Sequence, residues 1–557
     1  MPIPRIAGIE TEYGIARRSA ATKELHEEQQ PIRDTVRLIR SVATPVVWDY
    51  ATERELPGLA EGHTVEEITN TVMTNGARFY EDHGHPEYAT PECTTPLQVV
   101  LYDKAGERLL NLARMTANET AGRDEDEIAI YKNNADLAGH SFGCHENYLM
   151  ERKTPWDRLR EYLTPFLVTR QIFTGAGKVG TQDVDSSEWE PTAKPLVLGG
   201  KTGLERPLVC VTRDKEKDLE LYQDEEPAGC LWPPEQEERA RCLRSPEQEE
   251  RARCPRSKEE AVYQLSQRPD FFSTEEGLQT TFNRPLMNTR DEPHADPEQY
   301  RRLHVIVGDA NLAPWATYLK IGTTMLVLDL IEDGFVTEEM LIRAPVPTFR
   351  TISRDQDWRW AVQFTNGRRG TALDHQELYL NKAKQHYAAD PVKKEIITKW
   401  EYILDALRRQ DVDALVDKLD HVLKRHIIEK AMQRHGWELT SPGVQKLDLR
   451  YHSVNPDESV YALLERRGYV DNLGITEAQI VDAVFDPPTD TRAYFRGTCI
   501  QTFGEAVVAA NWDLLDVRRS DGTLVRIAME DPFKGTAALA GDLLARAQDI
   551  DSLLKQV

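Results

Sequence analysis

The 557-residue sequence is short of positive charge: 69 Lys and Arg stand against 93 Asp and Glu, a formal net charge of −24. That deficit argues against nucleic acid, whose phosphates reward Lys and Arg, and against an anionic membrane surface. Long apolar runs are missing too. No segment reaches the roughly 18 uninterrupted apolar residues of a spanning helix. The start, Met-Pro-Ile-Pro-Arg, lacks the charged opening and apolar stretch of a signal peptide. Cysteine is scarce and odd in number, seven in all. An odd, scattered set favours reduced thiols in a cytosol over a disulfide framework, and the absence of a Cys-x-x-Cys pair argues against a thiolate metal site. A Walker-type loop ending in Gly-Lys-Ser/Thr is also absent: Gly175-Ala-Gly-Lys178-Val-Gly lacks the hydroxyl and the full spacing and reads as a turn. Any nucleotide is therefore expected on a sheet and not in a P-loop. The length predicts two domains, and the expected location is the cytoplasm.

What is present is a set of polar residues in apolar strand contexts. Residues 6–15 read Ile-Ala-Gly-Ile-Glu-Thr-Glu-Tyr-Gly-Ile, and residues 76–93 carry Arg78, Tyr80, Asp82 and Glu87. Alternate side chains of a strand share a face. Glu10 and Glu12 therefore project together, as do Arg78, Tyr80 and Asp82. Acidic groups among Ile, Val and Ala cost desolvation energy unless a cation compensates them. A divalent metal on a polyphosphate is the expected compensation, since hard cations prefer oxygen ligands. Three more constellations follow the same logic: His145 with Asn147, Arg302 with His304, and Arg492 and Arg496 with Trp512. Arginines pair with phosphate oxygens, and an indole can stack on a nucleobase.

The rest of the chain reads more coarsely. Residues 6–15 predict one buried strand, and 20–40, 155–173, 314–333, 391–435 and 536–556 predict helices. A strand is expected from His304 to Gly308. The stretch 41–75 has no clean period and reads as a long loop. Pro-Glu-Gln-Glu-Glu-Arg-Ala-Arg-Cys stands at 234–242 and again at 246–254, with Cys230, Cys242 and Cys254 spaced by 12. A charged duplication without apolar residues cannot bury a core, so 213–260 is expected to be a disordered insertion or short charged helix. The Pro-rich run after Asp486 marks the expected boundary between a catalytic domain, 1–486, and a small C-terminal domain, 487–557.

Taken together, Gly8-Ile-Glu-Thr-Glu-Tyr-Gly, Gly-Ala-Arg-Phe-Tyr-Glu-Asp82 with the following His-Pro-Glu-Tyr-Ala-Thr-Pro-Glu, His-Glu-Asn at 145–147, Asn-Thr-Arg-Asp-Glu-Pro-His-Ala-Asp at 288–296 and Arg-Arg-Leu-His at 301–304 resemble the Pup ligase/deamidase family. Those enzymes act on the prokaryotic ubiquitin-like protein Pup and are related to carboxylate–amine ligases of the glutamine synthetase type. The resemblance implies an α+β fold: a curved antiparallel sheet cradle packed by helices, with a small C-terminal domain. It implies ATP and Mg²⁺ as cofactors, and Pup and pupylated proteins as partners. Carried over by position, Glu10, Tyr80, Glu87, His145 and His304 lie around the metal. Gly8, Ile9, Thr11, Glu12, Arg78, Ala89, Thr90, Asn147, Arg302 and Trp512 lie around the nucleotide. Asp82 matches the catalytic aspartate, as nucleophile or general base.

The Val47-Trp-Asp-Tyr50 insert and the wording Asp82-His-Gly-His-Pro-Glu resemble the deamidase/depupylase branch. In that branch the C-terminal glutamine of Pup is deamidated, the Pup–lysine isopeptide bond is cleaved, and nucleotide is a cofactor that is not consumed stoichiometrically. A Pup–protein ligase is the alternative on the same fold. A catalytically silent Pup-binding scaffold is the alternative from another class. The 41–75 loop is expected to lie near the nucleotide and to tune access or phosphate handling.

Overall fold

The computed structural model describes residues 4–28, 30–44, 46–49, 70–122, 124–135, 140–180, 262–281 and 283–556. The duplicated segment with its cysteines, and the middle of the 41–75 stretch, lie outside the described residues.

Ten strands form one sheet. In chain order they are β1 Ala7–Glu12, β2 Val47–Trp48, β3 Asn70–Val72, β4 Arg78–Asp82, β5 His85–Ala89, β6 Cys144–Glu151, β7 Tyr300–Val305, β8 Val507–Ala510, β9 Leu514–Arg518 and β10 Leu524–Ala528. Their order across the sheet is β7-β6-β1-β5-β4-β3-β2-β8-β9-β10. Every pairing is antiparallel except that of β2 with β8.

The register sorts the side chains by period two. Ile9, Phe79, Tyr88, Tyr148 and Leu303 turn to one face and are buried in the main apolar core. Glu10, Arg78, Tyr80, Glu87, His145, Asn147, Arg302 and His304 alternate with them and share the other face.

Helices cover the apolar face. α1 is Pro31–Val42, α2 Pro96–Ala121, α3 Trp156–Thr174 and α4 Pro314–Glu332. α2 starts where Thr95 and Gln98 form a reciprocal capping box with Pro96 in the first turn. In α4, Pro314 to Ile331 are all buried, as expected of a helix that is apolar on every side. A buried ion pair sits on this covered side. Glu146 accepts from Arg170 at 2.8 Å and from the Tyr148 hydroxyl at 2.6 Å.

Four local expectations are corrected. Residues 6–15 are not one strand: the chain breaks at Tyr13, and Gly14–Arg18 pairs with Leu25–Glu27 and Glu127–Tyr131 in a separate three-stranded sheet. Gly14 permits the turn-off, since a Cβ there would lie 2.8 Å from Asn133 Oδ1 and 2.9 Å from the Phe142 ring. Residues 20–40 are not one helix. Leu25–Glu27 is a strand, and α1 begins at Pro31, whose fixed φ suits a first turn. The 391–435 helix is three pieces, Pro391–Arg408, Val412–Leu415 and Asp420–His435, parted where Gln410 takes φ +52°. The final helix divides into Ala537–Arg546 and Ile550–Leu553, the second capped by Asp549.

Past Asp486 the chain continues the same sheet through β8–β10. A second apolar cluster gathers there, including Trp48, Val72, Phe495, Ile500, Leu515 and Val517. Elsewhere, Lys178–Val179 pairs with Tyr263–Gln264, and Gly180 N donates to Val262 O at 2.9 Å.

Candidate active site

The polar face of the sheet brings the strand constellations together. Glu10 is opposite both Ala89 and His145, Gly8 opposite Asn147, and Asn147 opposite His304. Glu87 is opposite both Glu12 and Tyr80. Four sequence-distant segments thus become adjacent rungs.

Glu10, His145 and His304 form one group whose ligand-type atoms all lie within 4.8 Å of one another. Asn147 orders it. Its Nδ2 donates to Glu10 Oε1 at 2.8 Å, and its Oδ1 accepts from His304 Nδ1 at 3.0 Å and from Arg302 at 3.3 Å. His145 Nδ1 lies 3.4 Å from Glu10 Oε2. Burial pushes the Glu10 carboxyl up, but the hydrogen bond from His145, the largest of the opposing influences of its neighbours, helps outweigh it, and the group stays well below the ordinary carboxylate range. Burial, reinforced by neighbouring His145, drives His304 well below the usual imidazole value. His304 is therefore neutral, and its buried Nε2 has no hydrogen-bond partner.

Glu12, Asp82 and Glu87 form a second group, again within 4.8 Å. Burial and the charges of Asp82, Glu12 and Glu10 push Glu87 well above the usual range. Three carboxylates this close repel one another, and a cation among them would relieve that. Gly143 allows the crowding, because a Cβ there would meet Glu12 Oε1 at 2.5 Å and His145 Nε2 at 2.7 Å. Asp82 closes β4 at the hairpin to β5, with its Oδ2 2.8 Å from His83 Nδ1. Burial raises Asp82, yet the bond to His83 prevails and the carboxyl is lowered. That same bond lifts His83 to about 9.

A cavity opens beside these groups, lined by Gly8, Ile9, Ala89, Thr90, Asn147, Arg302 and Trp512. Thr90 Oγ1 accepts from Ile9 N at 3.1 Å, which fixes the two strand backbones at its floor. The Ile9 side chain itself belongs to the core. Thr11 is likewise turned away and buried, with its Oγ1 unpartnered. Arg78 lies outside the cavity lining, stacked between Trp48 at 3.9 Å and Tyr80 at 4.0 Å.

Of the lining residues, His294 had no role of its own in the sequence reading, and Arg492 was named only within its constellation with Arg496 and Trp512. His294 adopts φ +46°; burial and the nearby charges of Arg302, Arg492 and Arg78 depress it to about 3. Arg492 is tied by Glu92 at 2.8 Å. The motif at 288–296 was the available signal for the first, and the Arg492–Arg496 constellation for the second.

Known proteins resemble this chain over nearly its whole length. The depupylase of Acidothermus cellulolyticus is 38% identical over 586 residues, covering 99% of this chain and 98% of its own. The Pup deamidase/depupylase of Mycolicibacterium smegmatis is 36% identical, covering 99% of each chain. A crystal structure of the complex between Pup and its ligase PafA superposes with a TM-score of 0.71 at 27% identity, over 97% of this chain and 91% of that one. The structure of the Pup ligase PafA with ADP gives 0.66 at 28% identity, over 89% and 92%. The profile of the Pup-ligase protein family matches residues 5–223 and 248–516, and this chain belongs to that family.

Proposed function

We propose that this protein is an ATP-dependent amidohydrolase of the Pup pathway, deamidating the C-terminal glutamine of Pup and cleaving the Pup–lysine isopeptide bond. The observation that carries the chemistry is the Glu12–Asp82–Glu87 cluster beside a nucleotide-sized cleft on the same sheet face. The direction of the reaction is supported by relatives named depupylase or Pup deamidase/depupylase, at 35–38% identity over 99% of this chain, against 32–35% over 84–97% for Pup–protein ligases.

In this reading the cavity takes the nucleotide. Arg302 would pair with its phosphates, and Trp512 would offer an aromatic surface to the base. Two sets of side chains would hold divalent cations: Glu12 and Glu87, with Tyr80 opposite Glu87, and Glu10 with His145 and His304. The all-carboxylate set suits Mg²⁺, while the imidazole-rich set also suits a softer divalent ion such as Mn²⁺. Bound cations would neutralise nucleotide phosphates and quench the carboxylate crowding around Glu87.

Asp82 is the reacting group. Its Oδ2 is held by His83, which keeps the carboxylate ionised and leaves Oδ1 for the substrate. Ionisation is required whether Asp82 attacks the amide carbon or takes the proton of an attacking water. The test is a side-by-side assay of Pup ending in Gln and of a pupylated protein, with and without ATP. ATP-dependent release of ammonia and of free Pup is expected. Conjugate built from Pup ending in Glu and a lysine substrate would identify a ligase instead.

A further inference from the structure

We infer that Trp48 is a positioning residue for the nucleotide site, fixing Trp512 of the cavity lining while it stacks on Arg78 outside that lining; this rests on the nucleotide reading above. Trp48 occupies the two-residue strand β2, with neighbours on both edges. Val47 is opposite Thr71 of β3, and Trp48 is opposite Ala510 of β8. The strand is pinned at its exit, where Asp49 N donates to Ala510 O at 2.9 Å and the Asp49 carboxylate meets Arg526 at 2.5 Å. The indole is 3% exposed.

One part of this ring carries the Arg78 guanidinium, whose carbon is 3.9 Å from the ring centroid. Tyr80 supplies a second ring to the same guanidinium at 4.0 Å, and Asn70 Oδ1 accepts from Arg78 Nε at 3.0 Å. The Trp48 ring also meets Trp512 edge to face, with centroids 5.3 Å apart and planes at 74°. Trp512 is held in turn by Arg496, which donates to its carbonyl at 2.8 Å. Arg78 and Trp512 are far apart in sequence and arrive from opposite ends of the chain. Trp48 touches both, at the only parallel joint of the ten-stranded sheet. A guanidinium sandwiched between two rings loses freedom to turn, so its charge stays aimed in one direction. An edge-to-face contact likewise fixes the plane of the Trp512 indole.

The experiment compares Trp48→Phe, which keeps a π face, with Trp48→Leu, which keeps only apolar bulk. ADP binding is measured by calorimetry in the presence of Mg²⁺, and Pup-Gln deamidation at saturating ATP. Trp48→Leu should raise the ADP Kd about tenfold, the scale of one desolvated cation–π contact, with saturated turnover within about twofold of the parent. Trp48→Phe should recover most of the affinity. Equal affinity in parent and Trp48→Leu would overturn the inference, as would Phe and Leu variants that weaken ADP alike. A fall in saturated turnover with unchanged Kd would overturn it too. Failure of the parent protein to bind ADP would remove the nucleotide reading itself, and the inference with it.

Discussion

His83 Nδ1 lies 2.8 Å from Asp82 Oδ2, across a hairpin turn in which His83 takes φ +50°. The left-handed backbone turns the imidazole back onto the preceding carboxylate. The folded-state value of His83 is about 9 against an ordinary 6.5, and the hydrogen bond to Asp82 is the leading cause. A raised histidine value means the ion pair is fully formed below about 6.5 and lost as pH rises through about 9. The imidazole should therefore resist acylation by diethyl pyrocarbonate at pH 7.5, a reagent that attacks the neutral ring. In Asp82→Asn the same residue should react readily, as read by peptide mass mapping. Equal rates in the two proteins would contradict the assignment.

Asp82→Asn should lower deamidation of Pup-Gln by about 10²–10⁴-fold, the usual weight of a positioned acid–base group. ADP affinity should change little, because Asp82 is outside the cavity lining. Retained turnover in a clean preparation would remove Asp82 from the reaction.

Gly143→Ala tests the cation sites without touching the core. Its new methyl would press on Glu12 Oε1 and His145 Nε2. Addition of Mg²⁺ or Mn²⁺ should raise the melting temperature of the parent protein, since a ligand bound to the folded state stabilises it by mass action. The alanine variant should lose most of that rise. A full metal response in the variant would show that neither trio binds the ion.

Glu92 joins β5 to the C-terminal segment through Arg492 at 2.8 Å and Arg496 at 2.5 Å. Burial raises its carboxyl, but the two guanidiniums prevail and lower it from 4.5 to about 2. A depressed carboxylate contributes stability that is present above about 4.5 and fades as pH falls toward about 2. Glu92→Gln leaves two buried guanidiniums poorly paired, at a cost of about 3–5 kcal/mol near neutrality. Urea unfolding of parent and variant should converge on acidification. A gap that widens below pH 4 would contradict the sign.

The catalytic face was legible in sequence because a strand's period of two is local information. Glu10 and Glu12 announce their common side without reference to any partner, and so do Arg78, Tyr80 and Asp82. Which strand stands next to which is not local. The meeting of Glu92 with Arg496, or of Trp48 with Trp512, depends on chain closure over more than 400 residues, and no spacing rule encodes it. Helix expectations failed where tertiary pairing captured a segment, as at Leu25–Glu27, or where a single left-handed residue such as Gln410 parted a continuous apolar pattern. His294 stood inside a recognised motif without a role of its own, because the three arginines whose charges help depress it are gathered around it only by folding.

The short ladder between Lys178–Val179 and Tyr263–Gln264 acts as a neck. The chain leaves at Gly180 and returns at Val262 through a 2.9 Å hydrogen bond, so the two crossing points are fixed by the scaffold itself. Sequence can lengthen or shorten between them without pulling on β6 or β7. A duplication such as the one at 234–254 can then accumulate at little energetic cost.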